Sequence, residues 1–253
     1  MAGKVRIKRG DVWAERLKEH LTSSQVGVAE WMEEHTQIIK SNLGTLSGML
    51  QLDDQLAYLK LYSFKPFKYK MSLGLRKPQP LRDFNLASDL AGKGIAVPRP
   101  LACLAVAEGM LLLTEGLSGG GTLDEVWRSQ PAAPGADEMM RAAGETLAQL
   151  HAAGYTYGNC RWEHLFWNGQ RVYLTMLDST RKSPLGGIHQ ARDLAQFTAN
   201  AEQFVIGSVL YEQFLETYLQ GIAGNRREVV ERMIRPLYRF RGQHLSRYGQ
   251  RLV

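Results

Sequence analysis

The sequence predicts an α+β protein in two lobes, a small antiparallel sheet with one helix followed by a mostly helical lobe. Three observations predict it. Residues 36–62 read as three antiparallel strands between short turn signals, the last of them with one aliphatic face. The run Glu115-Gly116-Leu117-Ser118-Gly119-Gly120-Gly121 then breaks the pattern in the manner of a flexible link between lobes. Beyond it, apolar residues recur at three- and four-residue spacings, the period of a helix. With 253 residues, 44% of them hydrophobic, the chain can bury two modest cores as readily as one large one.

Residues 1–35 carry no motif and are read as an N-terminal extension. The first lobe, 36–115, opens with a strand at Thr36–Lys40. A Ser-Asn-Leu-Gly turn leads into Gly48–Leu52, and Asp53-Asp54-Gln55 turns into Leu56–Tyr62. Side chains alternate along a strand, so Ala57, Leu59 and Leu61 share one face while Tyr58, Lys60 and Tyr62 share the other. Pro80–Leu90 reads as a helix closed near Gly92 or Gly94, with Asp83, Ala87 and Leu90 on one side. Pro98 and Pro100 hold the next segment extended, and strands at 101–106 and 109–114 complete the lobe.

Residues 116–121 form the link and 122–253 the second lobe. Met140, Ala143, Leu147 and Leu150 mark a helix that Gly154 is placed to close. Val172–Leu177 reads as an apolar strand ending in Asp178. Helices are expected over 190–198 and 202–220, with an Arg-rich helix from Asn225 up to Pro236.

Composition excludes several classes. The two cysteines, Cys103 and Cys160, lack metal-ligand spacing, so neither a disulfide framework nor a zinc site is indicated and a reducing, cytoplasmic compartment is expected. The longest apolar stretch, 101–114, is interrupted by Glu108 and too short to cross a bilayer, and Met1–Arg6 lacks the apolar core of a signal peptide. A soluble or peripheral protein is expected. Net charge is +6, and residues 225–253 hold eight arginines against two glutamates. A second basic cluster lies at Lys65, Lys68, Lys70, Arg76, Lys77 and Arg82. Localised charge of this kind suits anionic lipid, phosphorylated sugar or nucleic acid, or is simply a solvated basic face.

The segment Leu150–Phe166, LHAAGYTYGNCRWEHLF, carries the chemistry. A phosphoryl-transfer loop of the kinase type needs an acceptor for the substrate hydroxyl's proton and, five residues later, a metal-ligating side chain. Asn159 and His164 occupy those two places, and Asp178 follows at the end of the next strand as a second metal ligand. Resemblance to kinases implies that Lys60 on the third strand is the lysine that meets nucleotide phosphates and that Asp83, where such kinases carry a Glu, holds it in an ion pair. Gly44 and Gly48 lie between the first two strands, where backbone N–H groups could face phosphate, although an ordinary hairpin turn explains them equally well.

On these residues the chain resembles the lipopolysaccharide-core heptose and Kdo kinases of Gram-negative bacteria, over roughly residues 36–215. The resemblance implies a two-lobed protein-kinase-like fold and ATP-dependent phosphorylation of an inner-core sugar at the cytoplasmic face of the inner membrane. ATP and Mg²⁺ are the implied cofactors. It also implies that Leu112–Gly116, with Glu115, is the hinge that meets an adenine ring, that His164 and Asp178 hold the metal, and that Asp193 bonds back to the catalytic loop. The implied partners are the lipopolysaccharide core or another anionic saccharide or lipid, with residues 225–253 docking on an anionic membrane surface. Tyr238, Phe240 and Tyr248 interleave with arginines there as stacking residues would, but no nucleic-acid module surrounds them, so nucleic acid is not the expected partner.

The departure lies at Tyr157 and Asn159, where the family carries His and Asp. A carboxamide can orient a hydroxyl but cannot take its proton, a loss worth about 10²- to 10⁴-fold in rate. Two expectations therefore stand side by side, an active sugar kinase and a pseudokinase that binds nucleotide without efficient transfer.

Overall fold

The computed structural model describes residues 5–64, 78–183, 187–242 and 251–253, so most of the basic cluster of residues 65–77 lies outside the described residues. The chain divides into two units, residues 1–92 with 98–117, and residues 93–97 with 118–253.

In the first unit the expected strands are β2 (Gln37–Asn42), β3 (Thr45–Leu52) and β4 (Gln55–Ser63), joined by tight turns. With β1 (Arg6–Gly10), β5 (Pro100–Val106) and β6 (Gly109–Glu115) they form one antiparallel sheet in the order β1-β5-β6-β4-β3-β2. Register is continuous through the middle, with Lys60 flanked by Ser47 on β3 and Leu112 on β6. The alternation read in 56–62 is what divides the sheet's faces. Ala57, Leu59 and Leu61 are buried against Leu17 and Leu21 of α1 (Val12–Ser23) and Trp31 and Met32 of α2 (Val28–His35). Full burial of such side chains contributes about 1.5–3 kcal/mol each.

This corrects the reading of residues 1–35 as an extension. They supply an edge strand and both helices that cover the aliphatic face, and Val28 N–H donates to Glu108 Oε1 at 2.8 Å across the β5–β6 turn. Helix α3 (Gln79–Gly92) buries Asp83, Ala87 and Leu90, the side its periodicity indicates.

The second unit is built on two helix pairs. Helix α5 (Ala136–Ala152) packs on α7 (Ser208–Ile222), and α6 (Gly187–Gln203) on α8 (Arg226–Gly242). Gly144 permits the first contact, since a Cβ there would come within 2.4 Å of Phe214 O. A short helix α4 (Leu123–Ser129), unforeseen in the sequence, follows β7 (Gly121–Thr122) and is held by Glu125 Oε2 accepting from Thr122 N–H at 2.9 Å. Strand β7 joins β9 (Leu165–Trp167) and β10 (Val172–Leu174) in a small sheet, while β8 (Tyr155–Thr156) pairs with β11 (Arg181–Lys182).

Three boundaries differ from expectation. Strand β10 stops at Leu174, after which the N–H and the hydroxyl of Thr175 both reach His164 O, at 3.1 and 2.9 Å. The break expected near residue 200 falls instead at 204–207, where Val205 adopts a φ of 55° and Gly207 precedes α7. Helix α8 passes through Pro236. The proline removes one N–H from the ladder, but Met233, Leu237 and Arg241 continue a buried face on either side of it.

That face ends in a buried ion pair. Glu202, fully buried on α6, accepts from Arg241 Nε at 2.8 Å and from its Nη2, and from Leu252 N–H at 3.0 Å. Replacing Glu202 with Gln leaves a buried guanidinium without counter-charge and should cost about 3–5 kcal/mol in urea unfolding. Glu231→Gln, which breaks the exposed pair with Arg227, should cost under about 1 kcal/mol; equal losses would mean that the buried pair does not fasten α8.

Candidate active site

The loop after α5 is shaped by one buried carboxylate. Asp193, 1% exposed in the second turn of α6, accepts from Tyr157 N–H and Gly158 N–H, each at 2.7 Å. It also accepts from His151 Nε2 at 3.2 Å. With that ring nitrogen donating, His151 Nδ1 is the acceptor for the Tyr218 hydroxyl at 2.8 Å. A carboxylate so surrounded fixes two successive backbone amides, and therefore the direction in which the next side chain, Asn159, leaves the loop.

Tyr157 fastens the other side. Its fully buried phenol donates to His164 O at 2.9 Å and accepts from Met176 N–H at 3.3 Å. The tyrosine thereby joins both ends of the loop to the segment that leads into Asp178. Gly158 completes the join, with a φ of 79° and a position where a Cβ would stand 2.7 Å from Ser179 O. No side chain fits there. The loop bearing Asn159 and the turn bearing the exposed Asp178 are thus neighbours within one unit.

At the loop's centre, Gln196 Nε2 on α6 donates to Asn159 Oδ1 at 3.4 Å, which leaves the NH₂ end of the carboxamide to face a ligand. His164 Nδ1 donates to Asn159 O at 3.2 Å, so Nε2 is the ring nitrogen that can ligate a cation. Glu163 Oε1 stands 3.3 Å from that nitrogen and 3.1 Å from Arg161 Nη1. The nearest spare carboxylate is therefore already paired. Among the described residues no group of three or more His, Cys, Asp or Glu gathers for a metal. A Mg²⁺ held with nucleotide phosphates needs only one or two protein donors, a number that Asp178 and His164 could supply between them.

The other expected residues lie in the first unit. Lys60 Nζ rests 4.7 Å from the centroid of the Tyr62 ring, and Tyr62 donates its hydroxyl to Asp83 Oδ2 at 3.1 Å. The direct Lys60–Asp83 pair expected from the sequence is replaced by this relay through a tyrosine, consistent with an acid one methylene shorter than glutamate. Gly44 closes the two-residue β2–β3 hairpin with a φ of 89°. Gly48 lies where a Cβ would meet Thr36 Oγ1 at 2.5 Å, so strand packing accounts for it rather than a phosphate cradle. At the hinge, Glu115 N–H donates to Arg99 O at 2.8 Å and Gly116 N–H to Leu56 O at 2.9 Å. Those two amides are spent on the sheet and its approach.

Sequence reasoning missed Tyr157 as a fastener and Gln196 and His151 as supports. The first replaces a residue the pattern leads one to expect, and the other two sit on helices where spacing gives no sign of their partner.

Neither thiol is primed as a nucleophile. Burial pushes Cys103 up to about 12, and burial, helped by the charge of Asp193, lifts Cys160 well above the usual thiol range. Burial likewise holds the phenols of Tyr157, Tyr211 and Tyr218 above their ordinary range. Their folded-state values are raised, so the stability they contribute is intact below about pH 10 and is lost as pH rises through the folded values, because the unfolded chain ionises first. A titration followed at the phenolate absorbance should show these three of the ten tyrosines ionising only with loss of structure; ten ionising together in a folded protein would contradict the burial.

A sequence model of the lipopolysaccharide kinase (Kdo/WaaP) family matches residues 29–218. The match covers roughly three quarters of the chain and includes Lys60, Asp83, the loop 157–164, Asp178 and Asp193. A comparison with curated proteins gives no match.

Proposed function

The chain belongs to the lipopolysaccharide kinase (Kdo/WaaP) family, and from that premise we propose that it transfers the γ-phosphoryl group of ATP to a hydroxyl of an inner-core heptose or Kdo. The observation that carries this reading is the loop itself. Asp193, Tyr157 and Gly158 fasten it beside the turn of Asp178, and such preorganisation suits phosphoryl transfer, which depends mostly on positioning.

In the reaction, the acceptor oxygen forms a bond to phosphorus as the bond to the β-phosphate bridging oxygen breaks, and the hydroxyl proton leaves. Asn159 orients the hydroxyl through its carboxamide, and the proton passes to solvent or to the departing phosphate. Lys60 supplies a point charge for nucleotide phosphates. Asp178, with His164, would hold a divalent cation, which when bound neutralises charge developing on the phosphoryl oxygens. The loose transition state depends mainly on position and charge, so turnover without a carboxylate acceptor is slow and not forbidden.

The site of action we propose is the cytoplasmic face of the Gram-negative inner membrane, reached peripherally, with residues 225–253 contributing basic charge. Among the described residues, no helix is long and apolar enough to cross a membrane.

A second reading, a pseudokinase that binds nucleotide as a regulatory module, is favoured by one feature: Asn159 is neutral, and Glu163, the carboxylate four residues further along the loop, is paired with Arg161 and His164. Both readings predict Mg-ATP binding. At about a hundred times its Kd, ligand should stabilise the fold by about 2.7 kcal/mol, visible as a rise in Tm that Lys60→Ala with Asp178→Ala abolishes; an unmoved wild-type transition would exclude both. Asn159→Asp decides between them. Gln196 can donate to a carboxylate as well as to the carboxamide, so the variant should fold and raise phosphoryl transfer by about 10²-fold or more. No gain in transfer would favour the pseudokinase.

A further inference from the structure

Six arginines lie on α8, and four are engaged by acids. Arg226 pairs with Glu212, Arg227 with Glu231, Arg232 with Glu228, and Arg241 with buried Glu202. Arg235 and Arg239 have no acid partner among the described residues. Both line a cavity of about 610 Å³ between α6 and α8, together with Arg192, Arg232, Ile188 and Phe240. His189 and Pro236 line it too, and among the described residues no acidic side chain belongs to it.

The cavity is cationic on one side and apolar on another. Arg192 is set over the Phe240 ring, 5.8 Å from its centroid, a contact that holds a guanidinium in place without neutralising it. Arg232 is steadied by Glu228 four residues earlier on the same helix. Ile188, 81% exposed, presents an apolar side chain at the rim. Three guanidinium groups without an acid partner among the described residues repel one another, and an anion relieves that repulsion. Guanidinium forks match phosphate oxygens in bidentate geometry, and the volume lies within the range of small-molecule sites.

We infer that this groove is a binding site for the phosphate ester of a membrane-resident amphiphile, the guanidinium groups taking the phosphate and Ile188 with Phe240 taking the adjoining apolar portion. Free phosphosugars would satisfy only the charged half. This choice of a lipid-borne phosphate rests on the proposed lipid-linked acceptor, but its test involves no nucleotide and no transfer, so loss of one leaves the other standing.

The test is vesicle co-sedimentation of the whole protein with phosphatidylcholine alone and with phosphatidylcholine containing phosphatidic acid. Wild type should bind only the second. Arg235→Ala with Arg239→Ala should weaken that binding by about tenfold or more, while Arg6→Ala with Arg171→Ala, the same charge change at exposed arginines outside both the groove and residues 225–253, should stay within about twofold. Amide exchange in wild type, which needs no variant, should slow at the groove-facing turns of α6 and α8 when the acidic vesicles are added. Equal weakening by both double variants would reduce the groove to diffuse charge. Equal binding to both vesicle types, or glucose 6-phosphate binding as tightly as the acidic vesicles, would overturn the inference.

Discussion

The second unit turns on the buried carboxylate of Asp193. Three donors from two directions converge on it, two backbone amides of the loop and the imidazole of His151. A buried anion left unpaired is costly, so α5, α6 and the loop must stay assembled for the carboxylate to remain satisfied. That requirement converts a surface loop, ordinarily the most variable part of a fold, into a fixed platform for Asn159 and His164. The stabilisation comes from the helices, and its benefit appears at the site.

Much of this could be read from the residues alone. The two lobes, the strand faces of 56–62 and the buried side of α3 follow from apolar periods of two and of three to four, which depend on local geometry. Spacing put Asn159 and His164 on one loop and Asp178 at the end of the following strand, and the close approach of Gly158 to Ser179 makes those two segments neighbours. What escaped were partnerships between distant residues. Helices α1 and α2 have apolar faces, yet nothing local shows that those faces cover Leu59 and Leu61. The relay from Lys60 over Tyr62 to Asp83 depends on how strand and helix are spaced in three dimensions. Helix α4 was legible in principle, through Thr122 followed three residues later by Glu125, a start signal too short to stand out beside the glycine run before it.

Charge shows the same division between count and arrangement. Eight arginines in the last 29 residues suggest a uniformly basic tail. Folding sorts those on α8 into distinct roles: Arg241 fastens α8, three others pair with neighbouring glutamates, and Arg235 and Arg239 are gathered with Arg192 at one groove. Exposed pairs contribute little to stability, so the glutamates chiefly decide where positive charge remains unneutralised.

The asymmetry between scaffold and acceptor bears on how Asn159 should be understood. The elements that orient the loop are the buried Asp193, Gly158 at positive φ beside Ser179, and the phenol of Tyr157 spanning His164 and Met176. All are present and mutually satisfied. Only the one side chain that would take a proton is neutral, and Gln196 holds it in a defined orientation rather than leaving it loose. A site that keeps its positioning elements and changes its acceptor is suited to chemistry limited by alignment rather than by proton removal, or to holding a nucleotide in a reactive pose without consuming it. Both outcomes rest on the same rigid loop, which is why the fold by itself is indifferent between them.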